Sequence, residues 1–213
     1  IMRHIMVVNA KGGSGKTTLA TNLASYFATQ NKRVTMVDYD PQGSSLAWLD
    51  ARSPAKPPIK GIAGYKRNPE RPRRDTDIVI IDAPAAVHGA ELTKLVRKAE
   101  TILIPVLPSP IDMRAAKNFI AEIKSSAPVA QKKAKLALVA NRAREITNIF
   151  WELEEFLSHQ KIPYLTMLRD SQNYVRAAER GLGIFEMGPA ATAVDREQWQ
   201  PIIKWVKSKR SQP

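Results

Sequence analysis

Eight residues limit what this chain can fold into more than any other stretch: Lys11-Gly12-Gly13-Ser14-Gly15-Lys16-Thr17-Thr18. They follow an apolar run, His4 to Val8. They precede a helical pattern from Gly15 to about Gln30, with Leu19, Leu23, Tyr26 and Phe27 on one side. Small residues between a strand and a helix let backbone N–H groups turn inward around an anion, and the helix adds its positive N-terminus. Gly15, Lys16 and Thr17 satisfy the end of the pattern G-x-x-x-x-G-K-[ST]; Ala10 stands at its first Gly position, with the glycines displaced to Gly12 and Gly13. In such a loop the lysine reaches the β- and γ-phosphates of a nucleotide and the Thr17 hydroxyl binds Mg²⁺. Thr18 falls at the α-phosphate.

The rest of the chain repeats the strand–helix alternation. Strands are expected at 33–38, 78–82, 101–106 and 135–140 as well as 4–8. These Val- and Ile-rich runs are apolar on both faces, as in a parallel sheet buried between helical layers. Helices are expected at roughly 89–98, 112–126, 145–159, 170–180 and 193–209. The expectation is one α/β domain over 1–213, doubly wound, its mostly parallel sheet flanked by helices on both faces, with ligand at the carboxyl ends of the strands. The stretch from Ser53 to Asp75 breaks the rhythm. It carries five prolines and seven Lys or Arg without apolar periodicity, and reads as a long basic loop. Ile1, ahead of Met2, is left out of the fold reading. No apolar run approaches the length of a membrane span, and no secretory leader is expected. With no cysteine in the chain, disulfides, thiolate zinc sites and iron–sulfur clusters are excluded, and a cytoplasmic location is expected.

The octet KGGSGKTT resembles the deviant Walker A motif of the ParA/MinD family of P-loop ATPases. The resemblance runs from Arg3 to about Val206 and is to the short forms with no helix-turn-helix segment ahead of the loop. It implies ATP hydrolysis to ADP and phosphate, with ATP and Mg²⁺ at the site, and it implies a role for each matching residue. Lys11 reaches across a nucleotide-sandwich homodimer to the partner's phosphates. In Asp38-Tyr39-Asp40-Pro41-Gln42, similar to the family's D-x-D-P-Q element, Asp40 orients the attacking water and Asp38 helps organise the Mg²⁺ region. Phosphoryl transfer asks the protein mainly for positioning and charge neutralisation, which carboxylates at strand ends can give. Asp82, after the apolar run Ile78 to Ile81, holds Mg²⁺ as a Walker B carboxylate does. The turn from Pro105 to Asp112 resembles P-x-x-P-S-P-x-D, near the base and the dimer interface. Asn141, followed by Arg142, falls where the family contacts adenine.

Charge adds a partner class. Thirty-three Lys and Arg against 20 Asp and Glu leave a net charge of +13, the usual footprint of a polyanion binder. The resemblance implies an ATP dimer that coats nucleoid DNA without sequence preference, released when a cargo-bound ParB-like or adaptor protein stimulates hydrolysis. Arg176 and Arg180, four apart on one helix, and the cluster Lys204, Lys207, Lys209 and Arg210 are expected to form the main DNA surface, with the basic loop auxiliary. Two rivals stand beside this reading. Trp199, Ile202, Ile203 and Val206 form an apolar stripe near those lysines, as in a MinD-like helix that lies on a membrane. A P-loop metabolic synthetase would need a substrate pocket of convergent polar groups, and no motif marks one.

Overall fold

The computed structural model describes residues 1–144 and 147–213. In chain order the elements are β1 (Arg3–Val7), α1 (Lys16–Thr29), β2 (Val34–Asp38), α2 (Ser44–Ala51), β3 (Ile59–Ala63), β4 (Ile78–Asp82), α3 (Gly89–Val96) and β5 (Thr101–Val106). There follow α4 (Pro110–Ser125), α5 (Ala127–Ala130), β6 (Lys135–Ala143), α6 (Asn148–Ser158), β7 (Tyr164–Arg169), α7 (Gln172–Glu179) and α8 (Ala193–Lys207). All seven strands pair in parallel, in the order β3-β2-β4-β1-β5-β6-β7. The doubly wound α/β architecture is the expected one.

Alternation along each strand feeds two apolar layers, because successive side chains point to opposite faces. On β1, Ile5 and Val7 pack with Leu19, Leu23 and Phe27 of α1 and with Trp199 and Ile202 of α8. Met6 and its neighbour Val8 pack with Leu92 of α3, Phe119 of α4 and Leu153 of α6 on the other face. Polar caps fix where helices begin. The Ser109 hydroxyl accepts from the Asp112 N–H at the start of α4, and Thr147 and Ser171 cap α6 and α7 in the same way. The expected helix over 145–159 is α6 in its described part; its first two residues, 145 and 146, lie outside the described residues.

Three elements differ from expectation. The 53–75 stretch is not wholly loop, since β3 extends the sheet beside β2. As an edge strand β3 buries only Ile62 fully, so it lacks an apolar run. Its Gly61 lets Leu46 and Leu49 of α2 come close; a Cβ there would lie 2.7 Å from Leu49 Cδ1. The opposite edge, β7, is also half-exposed and is absent from the strands expected from the sequence. Helix α2 sits directly behind the Asp38–Gln42 element and has no long apolar periodicity.

Helix α8 settles the stripe. Trp199, Ile202, Ile203 and Val206 are 0, 0, 5 and 1% exposed and belong to the core. The amphipathic face that could have met a membrane is therefore occupied by the sheet. Among the described residues no helix is long and apolar enough to cross a membrane. At its start α8 meets the carboxyl end of β7, where Arg169 bonds Asp195. At its end it meets the amino end of β1, where Arg3 donates to the Val206 carbonyl.

Candidate nucleotide site

The site is built at the carboxyl ends of β1, β4 and β2. Parallel register sets Val7 beside Asp82 and Asp82 beside Asp38, so the glycine loop after β1 lies over two strand-terminal carboxylates. Gly13 and Gly15 hold left-handed φ angles of 84° and 87°, a region that L side chains rarely adopt. Gly15 also has no room. A Cβ there would lie 1.9 Å from Asn141 Nδ2. The loop is braced from two sides. Asn141 Nδ2 donates to the Ser14 carbonyl at 2.8 Å, and Asn9 Nδ2 donates to Ser14 Oγ at 2.7 Å. Asn9 carries no motif signal; its place one residue beyond the buried strand is the only hint the sequence holds.

Lys16 is buried, with Nζ 2.5 Å from Asp82 Oδ1 and 3.8 Å from Asp40 Oδ2. The Thr17 hydroxyl donates to Asp82 Oδ2 at 3.0 Å. Burial pushes the Asp82 carboxyl above its ordinary range. The Lys16 ammonium opposes that rise, neighbouring Asp38 adds to it, and the Thr17 hydroxyl opposes it. A buried carboxylate and a hydroxyl converging on one point are hard oxygen donors of the kind Mg²⁺ takes, usually one or two from protein with phosphates and water completing the shell. The donor set therefore fits a Mg–nucleotide. Asn9 Oδ1, buried beside the loop without a hydrogen-bond partner, leaves an acceptor at the same wall.

Asp38 has a different task. It is fully buried, Oδ1 accepts the Asp40 N–H at 2.9 Å, and Oδ2 accepts the Ser45 and Leu46 N–H groups at 3.2 and 3.4 Å. It ties the turn and the start of α2 to the sheet, and it is Asp82 that meets Thr17. Asp40 accepts from the Gln42 N–H through Oδ1 and turns Oδ2 to Lys16. With Gly12, Gly13, Thr17 and Ser44 it lines a cleft of about 420 Å³. Lys11 stands outside that cleft. Its half-exposed side chain points along the rim, Nζ 3.8 Å from Asp112 Oδ1.

A second cleft of about 550 Å³ shares Gly15 and Thr18 with the first and continues past Asn141, Arg142, Asp170 and Tyr174. The pairing of β6 with β7 is irregular between Ala140 and Ala143, and Arg142 takes a left-handed φ of 52°. Such irregularities re-aim side chains beside functional sites. Here the kink turns Asn141 to the loop and Arg142 outward toward Asp170, 3.7 Å away. Leu107, Pro108 and Ser109, from the turn that ends at Asp112, border Arg142 and Asp170 from the other side.

The loop over a Walker B-like aspartate has a family counterpart: residues 5–184 match the family described as CobQ/CobB/MinD/ParA nucleotide binding domain. The chain belongs to the ParA/MinD family. This ParA/MinD protein is 33% identical over 190 residues to the maintenance of carboxysome distribution protein A of Halothiobacillus neapolitanus, covering 86% of this chain and 87% of that one. It is 34% identical over 137 residues to the chromosome-partitioning ATPase Soj of Thermus thermophilus, covering 49% of this chain and 55% of that one. In fold it is similar to apo McdA of Cyanothece, with a TM-score of 0.72, 14% identity and coverage of 98 and 100%. It is also similar to a putative plasmid partition protein of Borrelia burgdorferi bound to AMPPNP, with a TM-score of 0.73, 14% identity and coverage of 96 and 99%. The family is one of partitioning and positioning ATPases.

The six expected DNA residues of this ParA/MinD protein are all exposed, but they do not form one surface. Arg176 and Arg180 lie on and just after α7, whose first turns line the second cleft. Lys204, Lys207, Lys209 and Arg210 lie at the far end of α8, with Lys207 Nζ on the Tyr26 hydroxyl at 2.7 Å. From Asp195, which bonds Asn173 at the start of α7, to Lys207 the helix rises about 18 Å at its usual pitch. The sequence shows both groups as basic; only the direction of α8 sets them at opposite ends of the sheet.

Proposed function

We propose that this chain is a cytoplasmic, nucleoid-associated ATPase that positions cargo by cycling between an ATP-bound homodimer on DNA and a released ADP form. The convergence of Lys16 and Thr17 on Asp82, with Asp40 facing Lys16, carries the reading. Lys16 neutralises the β- and γ-phosphates, and Thr17 with Asp82 would hold Mg²⁺, which would supply positive charge to the phosphoryl oxygens. Asp40, across the cleft from Thr17, orients the attacking water. Asp38 positions Asp40 through the turn. Asn141 braces the loop, and the base lies in the cleft beyond it, between Arg142 and Tyr174. Lys11, exposed at the rim, is free to reach a second copy's phosphates. A cargo-bound partner stimulates hydrolysis.

DNA binding divides between the two basic groups. Helix α7 starts at the wall of the base cleft, where Tyr174 and Val175 stand, so nucleotide occupancy bears on Arg176 and Arg180. The α8 cluster is remote from the cleft and supplies attraction in every nucleotide state. Hydrolysis by Asp40→Ala, with dimer formation by light scattering, tests the ATPase reading. The variant should bind ATP and turn it over at about 1% of the normal rate or less, accumulating dimer; normal turnover would remove Asp40 from its role. Duplex binding with ATP and ADP over a salt series tests the division. Arg176→Ala with Arg180→Ala should erase the preference for ATP. Neutralising Lys204, Lys207 and Lys209 should lower affinity in both states and flatten the salt slope by about 3.

A further inference from the structure

At the amino ends of β6 and β7, across the sheet from the nucleotide clefts, lies a groove of about 420 Å³. Its rim is wholly cationic: Lys124, Lys132, Lys135, Lys161 and Arg210 line it and no carboxylate does. None of the five makes an ion pair among the described residues. Lys132 and Lys161 hold left-handed φ angles of 59° and 56°, a costly conformation for a lysine that the two turns impose. The floor is apolar, formed by Val129, Leu136, Ile162, Pro163 and Trp205, where the two core layers meet. Trp205 is only 7% exposed, and its indole Nε1–H has no acceptor.

We infer that the groove docks a short acidic segment of a partner protein in which carboxylates alternate with apolar side chains. Charge complementarity and the mixed lining select that partner. Carboxylates meet the lysine rim in charge-assisted hydrogen bonds. An apolar side chain covers the floor of Leu136, Ile162, Pro163 and Trp205. A nucleic acid backbone satisfies the rim but has nothing to set on Leu136, Ile162 and Pro163. The site goes beyond the ATPase reading and stands or falls without it, since no lining residue belongs to the nucleotide clefts. Arg210 is shared with the α8 cluster, so the test separates peptide from DNA.

The probe is a decapeptide alternating glutamate and leucine, added to ¹⁵N-labelled protein while the tryptophan indole N–H resonances are followed. The chain has four tryptophans, and Trp205→Phe assigns the one that matters. The Trp205 resonance should shift saturably, and Lys132→Glu with Lys161→Glu should weaken binding at least about tenfold with ATP hydrolysis unchanged, which also reports an intact fold. An all-glutamate decapeptide should bind distinctly more weakly. Absence of a shift, equal binding by the double variant, or equal binding of the all-glutamate peptide would overturn the proposal. A 20-base-pair duplex that moves the Trp205 resonance and displaces the peptide would assign the groove to nucleic acid instead.

Discussion

The two ends of the sheet solve opposite electrostatic problems. At the carboxyl ends, three aspartates and one buried lysine are packed within a few ångströms, and each is held by a specific bond: Lys16 to Asp82, Thr17 to Asp82, Asp38 to three backbone N–H groups. At the amino ends, lysines and arginines crowd the rim, and most project into water. A site that handles phosphate chemistry needs few charges at fixed places, because the backbone must approach the anion closely. A surface that attracts a polyanion or an acidic chain needs many charges and tolerates their exchange. Single substitutions should therefore be severe at one end and graded at the other.

The largest expected effect is at Lys16. Lys16→Ala removes the one buried cation of the cleft and leaves Asp82 buried without its partner. ATP affinity, read by calorimetry, should fall about a hundredfold or more, and the apo fold should lose about 3 kcal/mol or more of stability. Lys204→Ala at the other end should leave ATP affinity within about twofold, in keeping with the small effect of an exposed charge. Comparable losses of ATP affinity from the two variants would erase the contrast between the ends.

Lys11 ranks second and tests whether the carboxyl end is complete in one copy. Its ammonium faces Asp112 along the rim, away from its own cleft. Lys11→Ala should bind ADP as the parent does yet weaken the ATP dimer by about 2–5 kcal/mol, the usual cost of truncating a desolvated charge contact. Light scattering with ATP checks it, and a fully formed dimer would show that Lys11 acts elsewhere.

What the sequence shows follows the same divide. The octet, the Asp38–Gln42 element and Asp82 are legible because phosphate chemistry restricts residue types at fixed spacings. Strands β1, β4 and β5 are legible because burial on both faces leaves only apolar residues. Strands β3 and β7 are not, since an edge strand needs one apolar face and reads as a mixed stretch. The roles of Asn9 and Asn141 as braces are hidden as well, because a side chain bonding the Ser14 backbone and hydroxyl leaves no spacing rule. Nor could composition show that the charges around residue 176 and those around residue 207 sit at opposite ends; that needs the path of α8.

The glycines of the loop sharpen this further. Gly13→Ala and Gly15→Ala both place a methyl group at a left-handed φ, but only Gly15 has a neighbour in the way. Gly13→Ala should cost about 1–2 kcal/mol of stability and keep most ATP binding. Gly15→Ala must also displace Asn141 from the Ser14 carbonyl, so it should lose ATP binding about tenfold more than Gly13→Ala does, the cost of one braced hydrogen bond. Equal affinities in the two variants would mean that Asn141 is not a brace.

The smallest effect concerns how the amino end is anchored. Glu100 accepts from the Arg3 guanidinium at 3.1 Å and from the His4 N–H at 2.8 Å. Burial alone would raise its pKa, but the bonds from His4 and Arg3 outweigh that and hold the carboxyl below its ordinary value of 4.5. A carboxyl depressed on folding adds stability that is fully present above the unfolded value and is lost as pH falls through the folded one. Glu100→Gln keeps the shape and an acceptor but removes the charge. It should cost about 1 kcal/mol at pH 7, which lowers Tm by about 2–4 °C in a chain of this size. The gap between variant and parent should stay constant down to about pH 5, one half-unit above the unfolded value, and close as the parent's own carboxyl takes up its proton at lower pH. Parallel melting curves at pH 7 and pH 4 would decide it: a gap as wide at pH 4 would mean that Glu100 holds the amino end by shape, with its charge contributing nothing.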